Sequence, residues 1–136
     1  ERAAGRPRLV TDVGVRLPAE LTASGLAMLS RLPAAQVRAL YPAAAQLIRR
    51  EEHGPRTLTE LRRALTQTRA RGYAVESGTV TEGLASVAVA IVDHTDHPVA
   101  AVAVTYPSDV VDTAGRDRLV EQVRRVAAAL TARLRG

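Results

Sequence analysis

The sequence predicts an α+β domain in which an antiparallel sheet is flanked by helices. Two runs of small and β-branched residues, 84–92 and 99–106, enclose a short polar break at 93–98 that contains a proline. This is the pattern of two strands joined as a hairpin. Segments with helical periodicity precede and follow the hairpin. Because a tight break joins the neighbouring strands, part of the sheet is antiparallel, which excludes a doubly wound fold.

Composition indicates one soluble domain with an aliphatic core. The 136 residues suit a single domain, and no Phe or Trp is present. All 19 basic residues are Arg, spread along the chain among acidic residues, so the net charge of +5 favours a solvated surface over a DNA-binding face. The absence of Cys fits a reducing cytoplasm, where we expect the protein to reside. No apolar run approaches the ~18 residues of a membrane helix, so we expect no membrane partner.

The first third of the chain predicts one strand followed by short helices. Residues 8–17 have strand character that is broken at Gly14. Residues 22–32 have helical spacing, and Thr22 or Ser24 is a suitable N-cap. Further helical segments are predicted at 34–41, after Pro33, and at 43–50.

Residues 57–71 form the clearest predicted helix. Thr57 and Glu60 have the spacing of a capping box, and Gly72 is a C-terminal stop. A short strand at 73–76 and a polar loop lead into the hairpin. The last predicted helix spans 114–134, and its expected apolar stripe comprises Leu119, Val120, Val123, Val126, Ala127, Leu130 and Leu134.

Alternation within the hairpin predicts one bulky face and one nearly bare face. If Val92 pairs with Val99, the bare face carries three cross-strand pairs: Ala90 with Ala101, Ala88 with Ala103, and Ser86 with Thr105. Such a face either lets a helix pack very close or leaves a hollow. The choice between these two outcomes is the functional question.

Candidate chemical groups do not form a catalytic set. A D-H-x-D-H cluster at 93–97 contains metal-ligand types, but its context favours an exposed turn. Ser24 lacks a G-x-S-x-G elbow and a recognisable base, so it is interpreted as a helix cap. A further interpretation is that the backbone N–H groups at this helix start bind an anion or a ligand carboxylate. Glu76 and Glu82 flank the loop before the hairpin and form a candidate acid–base pair, but no further residue completes a catalytic set with them. The glycines match no phosphate-binding motif, so we predict no cofactor, no metal site and no enzymatic activity.

Three blocks of sequence resemble the effector-binding domain of IclR-type transcriptional regulators. They read V-G-x-x-L-P at 13–18 leading into T-A-x-G-x-A-M-L-x-x-L-P at 22–33; T-L-T at 57–59 with R-x-R-G-Y-A at 69–74; and E-G-L-x-S-x-A at 82–88 with P-x-A-A-x-A-V at 98–104.

The resemblance implies a GAF-like sensor domain that binds a small organic effector, typically a carboxylate or an aromatic metabolite. In the family, the effector shifts the DNA affinity of an attached winged helix-turn-helix domain. It also implies a homo-dimer or tetramer. Carried over by position, the effector-binding residues are Leu17, Ala23, Ser24, Glu76, Leu84, Ser86, Ala103 and Thr105.

The chain departs from the family pattern at three places. Its helix start reads E-L-T-A-S-G-L at 20–26, without the usual His and basic residue. Thr79 stands where an acidic residue is frequent, and Ala103 where a small polar residue is common. We expect residues 1–136 to be one effector-binding domain that begins partway into the family pattern, without the DNA-binding domain. The alternative is a ligand-free dimerisation or scaffold domain, in which a helix fills the space over the bare face.

Overall fold

The computed structural model describes residues 17–42 and 54–136. A 3₁₀ turn at Ala19–Leu21 precedes the regular elements. These are α1 (Ala23–Leu29), α2 (Ala34–Leu40), α3 (Leu58–Arg71), β1 (Ala74–Ser77), β2 (Leu84–Val92), β3 (Pro98–Pro107) and α4 (Thr113–Arg135). The predicted strand at 8–17, apart from its last residue, and the predicted helical segment at 43–50 lie outside the described residues.

The described strands form one antiparallel sheet in the order β1-β2-β3. The predicted pairs of Ala90 with Ala101, Ala88 with Ala103 and Ser86 with Thr105 are confirmed. The predicted pair of Val92 with Val99 is wrong. Val92 lies opposite Pro98, because the register shifts between Ile91 and Val92. The shift leaves one extra residue on β3 at the end of the hairpin nearest the turn, as in a β-bulge.

The two faces of the sheet are covered by different helices. On the bulky face, Val87 is completely buried in a cluster with Val120 and Val123 of α4. On the small face, α1 packs against Ala74 and Ala88, which are also completely buried. The alanines allow this close approach, since their side chains end at Cβ. The small face is therefore packed at its middle, whereas Ala103 and Thr105 on β3 remain exposed.

Helix ends follow the sequence signals, with one difference. The hydroxyl of Thr57 accepts a hydrogen bond from the Glu60 backbone N–H at 3.1 Å, as expected for a cap. The Glu60 carboxylate, however, accepts from the backbone N–H of Arg56 at 2.6 Å rather than from Thr57. Gly72 ends α3 with a φ of 84°, a conformation that favours glycine.

The buried part of the apolar stripe of α4 is narrower and shorter than the sequence predicts. Val120, Val123 and Ala127 are buried, but Val126, Leu130 and Leu134 remain 49%, 38% and 53% exposed. The helix packs on β2 and β3. Val126 lies to one side of the buried line, whereas Leu130 and Leu134 lie on the same side as Val123 and Ala127, seven residues further along, beyond the part of the helix that is buried. None of the helices in the described residues is long and apolar enough to span a membrane.

Candidate ligand cavity

A cavity of about 290 Å³ lies at the open end of the small face. All eight residues that the family resemblance assigns to a pocket line it. Three further lining residues were not predicted, and they come from the helix cap and the β1–β2 loop. The complete lining comprises Leu17, Thr22, Ala23, Ser24, Glu76, Val80, Thr81, Leu84, Ser86, Ala103 and Thr105. That these residues bind an effector stays a prediction.

Glu76 places a carboxylate in the wall of this cavity. The residue is on β1 and is only 7% exposed. Its Oε2 accepts a hydrogen bond from the Thr79 backbone N–H at 3.3 Å, and the Thr79 hydroxyl lies 2.8 Å from the same oxygen. That hydroxyl is also 2.6 Å from the carbonyl oxygen of Leu21. The single hydroxyl hydrogen of Thr79 donates to one of these two oxygens at a time, whereas the backbone N–H donates to Oε2 independently. Thr79 therefore orients Glu76 and places the β1–β2 loop against the segment before α1.

Thr79 was not predicted as a site residue. The only sequence signal at this position was the departure from the family, where an acidic side chain is frequent. The turn that brings Thr79 back onto Glu76 requires Gly78, which has a φ of 74°. Since such a loop is set by backbone geometry rather than by periodicity, the contact was visible only in three dimensions.

A hydroxyl pair lies across the floor of the cavity. Ser86 on β2 and Thr105 on β3 are cross-strand partners, and their hydroxyl oxygens are 2.8 Å apart. One hydroxyl donates to the other. Because each carries a single hydrogen, the pair retains one donor that is available to a ligand.

The start of α1 forms the opposite wall. Thr22 caps the helix by accepting from the Gly25 backbone N–H at 2.9 Å, so the capping role proposed for Thr22 or Ser24 belongs to Thr22. A Cβ at Gly25 would lie far inside van der Waals contact with the Ala19 carbonyl group. The glycine thus lets α1 lie against the 3₁₀ turn, and this close approach positions Ala23 and Ser24 at the cavity.

The described lining combines hydroxyls and one carboxylate with apolar side chains, and it contains no histidine. A second, more open groove of about 570 Å³ runs between α1, α2 and the hairpin turn. Its described walls are largely apolar, and they include Met28, Leu40 and Pro98. Convergent polar groups mark ligand sites, so the smaller cavity is the better candidate.

The hairpin turn uses its acidic side chain internally. Asp93 Oδ1 accepts from the backbone N–H and the hydroxyl of Thr95, at 2.8 Å and 2.6 Å, and from the His97 N–H at 3.1 Å. These bonds, led by that of the Thr95 hydroxyl, lower the pKa of Asp93 from 3.8 to about 2. Among the described residues, no three His, Asp or Glu side chains are grouped as metal ligands.

The R-x-R-G-Y-A block has a structural explanation. Arg69 Nε donates to the Ser30 carbonyl at 2.8 Å, and its Nη2 donates to the Leu32 carbonyl at 3.1 Å, just beyond α1. The guanidinium groups of Arg71 and Arg124 lie 5.4 Å and 5.3 Å from the centre of the Tyr73 ring. The block therefore holds α3, α1 and α4 around the sheet.

Sequence comparison places the chain among known regulators. Residues 1–132 match the family model of the bacterial transcriptional regulator IclR C-terminal region. The HTH-type transcriptional regulator XynR of Escherichia coli K12 is 31% identical over 122 residues. This alignment covers 88% of the chain and 47% of XynR, so the chain spans about half the length of this curated relative.

Solved structures share the same fold. The repressor BlcR of Agrobacterium tumefaciens aligns with a TM-score of 0.79 and 30% identity, covering 92% of this chain and 51% of BlcR. The C-terminal domain of E. coli KdgR has a TM-score of 0.81 at 23% identity, over 89% of this chain and 73% of that one. The inducer-binding domain of Acinetobacter PobR, a double mutant in complex with 3-hydroxybenzoic acid, has a TM-score of 0.75 at 21% identity, over 88% and 69%. The family match covers nearly the whole chain, and the solved structures share its fold. The chain therefore belongs to the IclR family of bacterial transcriptional regulators and corresponds to the C-terminal regulatory domain of these proteins.

Proposed function

We propose that this domain binds a small organic effector in the cavity beside Glu76, and that binding alters the DNA affinity of the full-length regulator. The observation that carries the proposal is a cavity of about 290 Å³ in which a buried carboxylate and a hydroxyl pair converge among apolar walls. Ligand sites typically have volumes of about 300–1,000 Å³ and combine apolar walls with a few placed polar groups.

The composition of the wall suits a regulatory role. It joins the start of α1, the β1–β2 loop and the exposed end of the sheet, which are separate parts of the chain. A ligand that contacts all of them favours the arrangement in which they are closest. Such differential affinity is what a ligand needs in order to shift a conformational equilibrium and, through it, a distant binding event.

The ligand-free scaffold alternative requires a filled space over Ser86, Ala103 and Thr105. In the described residues, α1 covers Ala88, but the side chains of Ala103 and Thr105 are exposed. This favours a hollow at that end of the sheet. The exposed apolar residues of α4 are a suitable surface for self-association, and self-association is consistent with the proposed regulatory role.

The first test is a thermal-shift screen of the chain with small hydroxy acids, hydroxylated aromatic acids, polyols and amines. The PobR domain was crystallised with 3-hydroxybenzoic acid, so this compound belongs in the set. A ligand that binds only the folded state, present at 100 times its Kd, stabilises that state by about 2.7 kcal/mol. We expect at least one compound to raise the melting temperature.

Two matched variants locate the site. Ala103→Leu places a larger side chain in the cavity, and we expect it to weaken binding at least about ten-fold, which corresponds to about 1.4 kcal/mol. Ala100→Leu changes an exposed residue on the opposite face of the same strand and should leave binding unchanged. Unaltered binding to Ala103→Leu would show that the effector binds elsewhere.

A further inference from the structure

The carboxylate of Glu76 has one oxygen without a protein partner among the described residues. Oε2 is held by Thr79, whereas no described residue donates to Oε1. The residue is only 7% exposed, and Oε1 is not one of the fully enclosed atoms without a partner in the described part of the chain, so it is accessible from the cavity that Glu76 lines. A carboxylate oxygen in such a position accepts a strong hydrogen bond from a donor.

No described residue of the cavity wall carries a charge opposite to that of Glu76. The described lining residues include no Arg, Lys or His. A ligand carboxylate placed against Glu76 would therefore bring two negative charges together in a partly dehydrated space, with no described cation between them. An O–H or N–H group at the same position would instead donate to Oε1.

The other residues of the cavity wall indicate which further chemical groups a ligand would carry. The side chains of Leu17, Val80 and Leu84 offer apolar contacts, and the pair of Ser86 and Thr105 offers one further hydroxyl hydrogen. The cavity is thus suited to a compact, partly apolar body with a polar donor at the Glu76 end. A carboxylate elsewhere on such a ligand must lie away from Glu76.

We propose that Glu76 selects effectors that present a hydrogen-bond donor, an alcohol, a phenol or an amine, and rejects compounds whose only polar group is a carboxylate. This inference rests on the proposed function of the cavity, whose ligand class it narrows. It differs from the carboxylate effector that the family resemblance suggests. Thr79 acts as the positioning residue, because it holds Oε2 and leaves Oε1 toward the ligand.

Three probes of similar size test the selection: benzyl alcohol, benzylamine and benzoate. Their binding to the chain is measured by NMR titration at millimolar concentrations. We expect the alcohol and the amine to bind at least about ten-fold more tightly than benzoate. Tighter binding of the amine than of the alcohol indicates a cationic effector, and equal binding indicates a neutral hydroxyl donor. Both results support the selection.

Substitution of Glu76 provides the decisive comparison. Glu76→Gln keeps an oxygen that accepts from Thr79 but removes the charge, so the preference for the amine should fall about ten-fold and benzoate should gain affinity. Glu82→Gln is the matched control, because Glu82 is exposed on the same loop, and it should preserve the wild-type order. Retained melting temperatures show that both variants fold.

The failure of this inference is distinguishable from the failure of the proposed function. Benzoate binding as tightly as the alcohol, an order that Glu76→Gln leaves unchanged, or no binding of any probe overturns the donor selection. If the probes bind equally well to wild type and to Ala103→Leu, the cavity itself is wrong. If Ala103→Leu abolishes binding while Glu76→Gln changes nothing, only the role of Glu76 is refuted.

Discussion

Asp93 organises the connection between β2 and β3 with a single carboxylate. Its Oδ1 accepts three hydrogen bonds, two from Thr95 and one from the His97 backbone. All three favour the ionised form, which is why the pKa of Asp93 is lowered to about 2. The same bonds explain why the D-H-x-D-H segment forms a turn although its residue types could bind a metal. The carboxylate of Asp93 already accepts hydrogen bonds from within the turn.

This shift predicts an acid-dependent stability. Because the folded-state pKa of about 2 lies below the ordinary value of 3.8, ionised Asp93 stabilises the fold above pH about 4, and the contribution is lost as the pH falls toward 2. We expect Asp93→Asn to lower the free energy of unfolding near neutral pH, and the difference from wild type to shrink as the pH approaches 2. Chemical denaturation at a series of pH values measures this difference.

The control for that experiment is Asp109→Asn, which removes an exposed carboxylate from the loop before α4. Its difference from wild type should be small and should not follow the same acid transition. A constant difference between wild type and Asp93→Asn across the pH range would contradict the assigned role of the turn hydrogen bonds.

At the scale of elements, α4 shows how a helix can carry more apolar surface than the sheet can cover. Val123 is 2% exposed against the strands, whereas Val126, three positions later, is 49% exposed. Both residues belong to the stripe that the sequence predicts. The difference arises because a helix meets a flat sheet along one line, and residues about 100° around the axis from that line point away.

Two identical substitutions test this assignment. Val123→Ala removes fully packed methyl groups, and we expect it to lower the free energy of unfolding by about 2 kcal/mol. Val126→Ala should change it by no more than about 0.5 kcal/mol, because surface substitutions have small effects and Ala favours helix. Urea denaturation of the two variants measures both values. If the two variants lose equal free energy of unfolding, the exposed side of α4 around Val126 is covered by a partner in solution.

At the scale of the whole molecule, the position of α1 decides where the small face is packed and where it is open. Arg69 of α3 fixes the end of this helix by donating to the carbonyls of Ser30 and Leu32. Thr79 fixes its beginning through the Leu21 carbonyl. The two contacts join segments 39 and 58 residues apart in the chain, and together they hold one wall of the cavity.

Removal of the first contact should loosen this arrangement. We expect Arg69→Ala to lower the free energy of unfolding by about 1.5 kcal/mol, the low end of the range for hydrogen bonds to a charged group, because Arg69 is largely exposed. Arg69→Lys, which retains the charge but not the fork of donors, should recover part of the loss. Arg63→Ala, an exposed residue of the same helix, is the control. Thermal unfolding measures all three, and equal effects of Arg69→Ala and Arg63→Ala would refute the proposed tie.

Much of the fold was predictable because its signals are local. Alternation in the hairpin indicates three of its cross-strand pairs correctly, since successive side chains of a strand must point to opposite faces. Thr57 and Gly72 mark the ends of α3 for equally local reasons. The pairing of Val92 was mispredicted because it depends on how the turn closes, and that geometry involves several backbone angles at once.

The candidate cavity divides in the same way. The sequence by itself determined that one face of the hairpin is small and carries two hydroxyls, and its motif blocks indicated the eight lining residues. Only the tertiary structure decided that α1 covers Ala88 and leaves Thr105 open, and that Thr79 contacts the Glu76 carboxylate in the wall of the cavity. The physical reason is that side-chain alternation is a property of one strand. The occupancy of a face depends instead on contacts between distant segments, which no local pattern encodes.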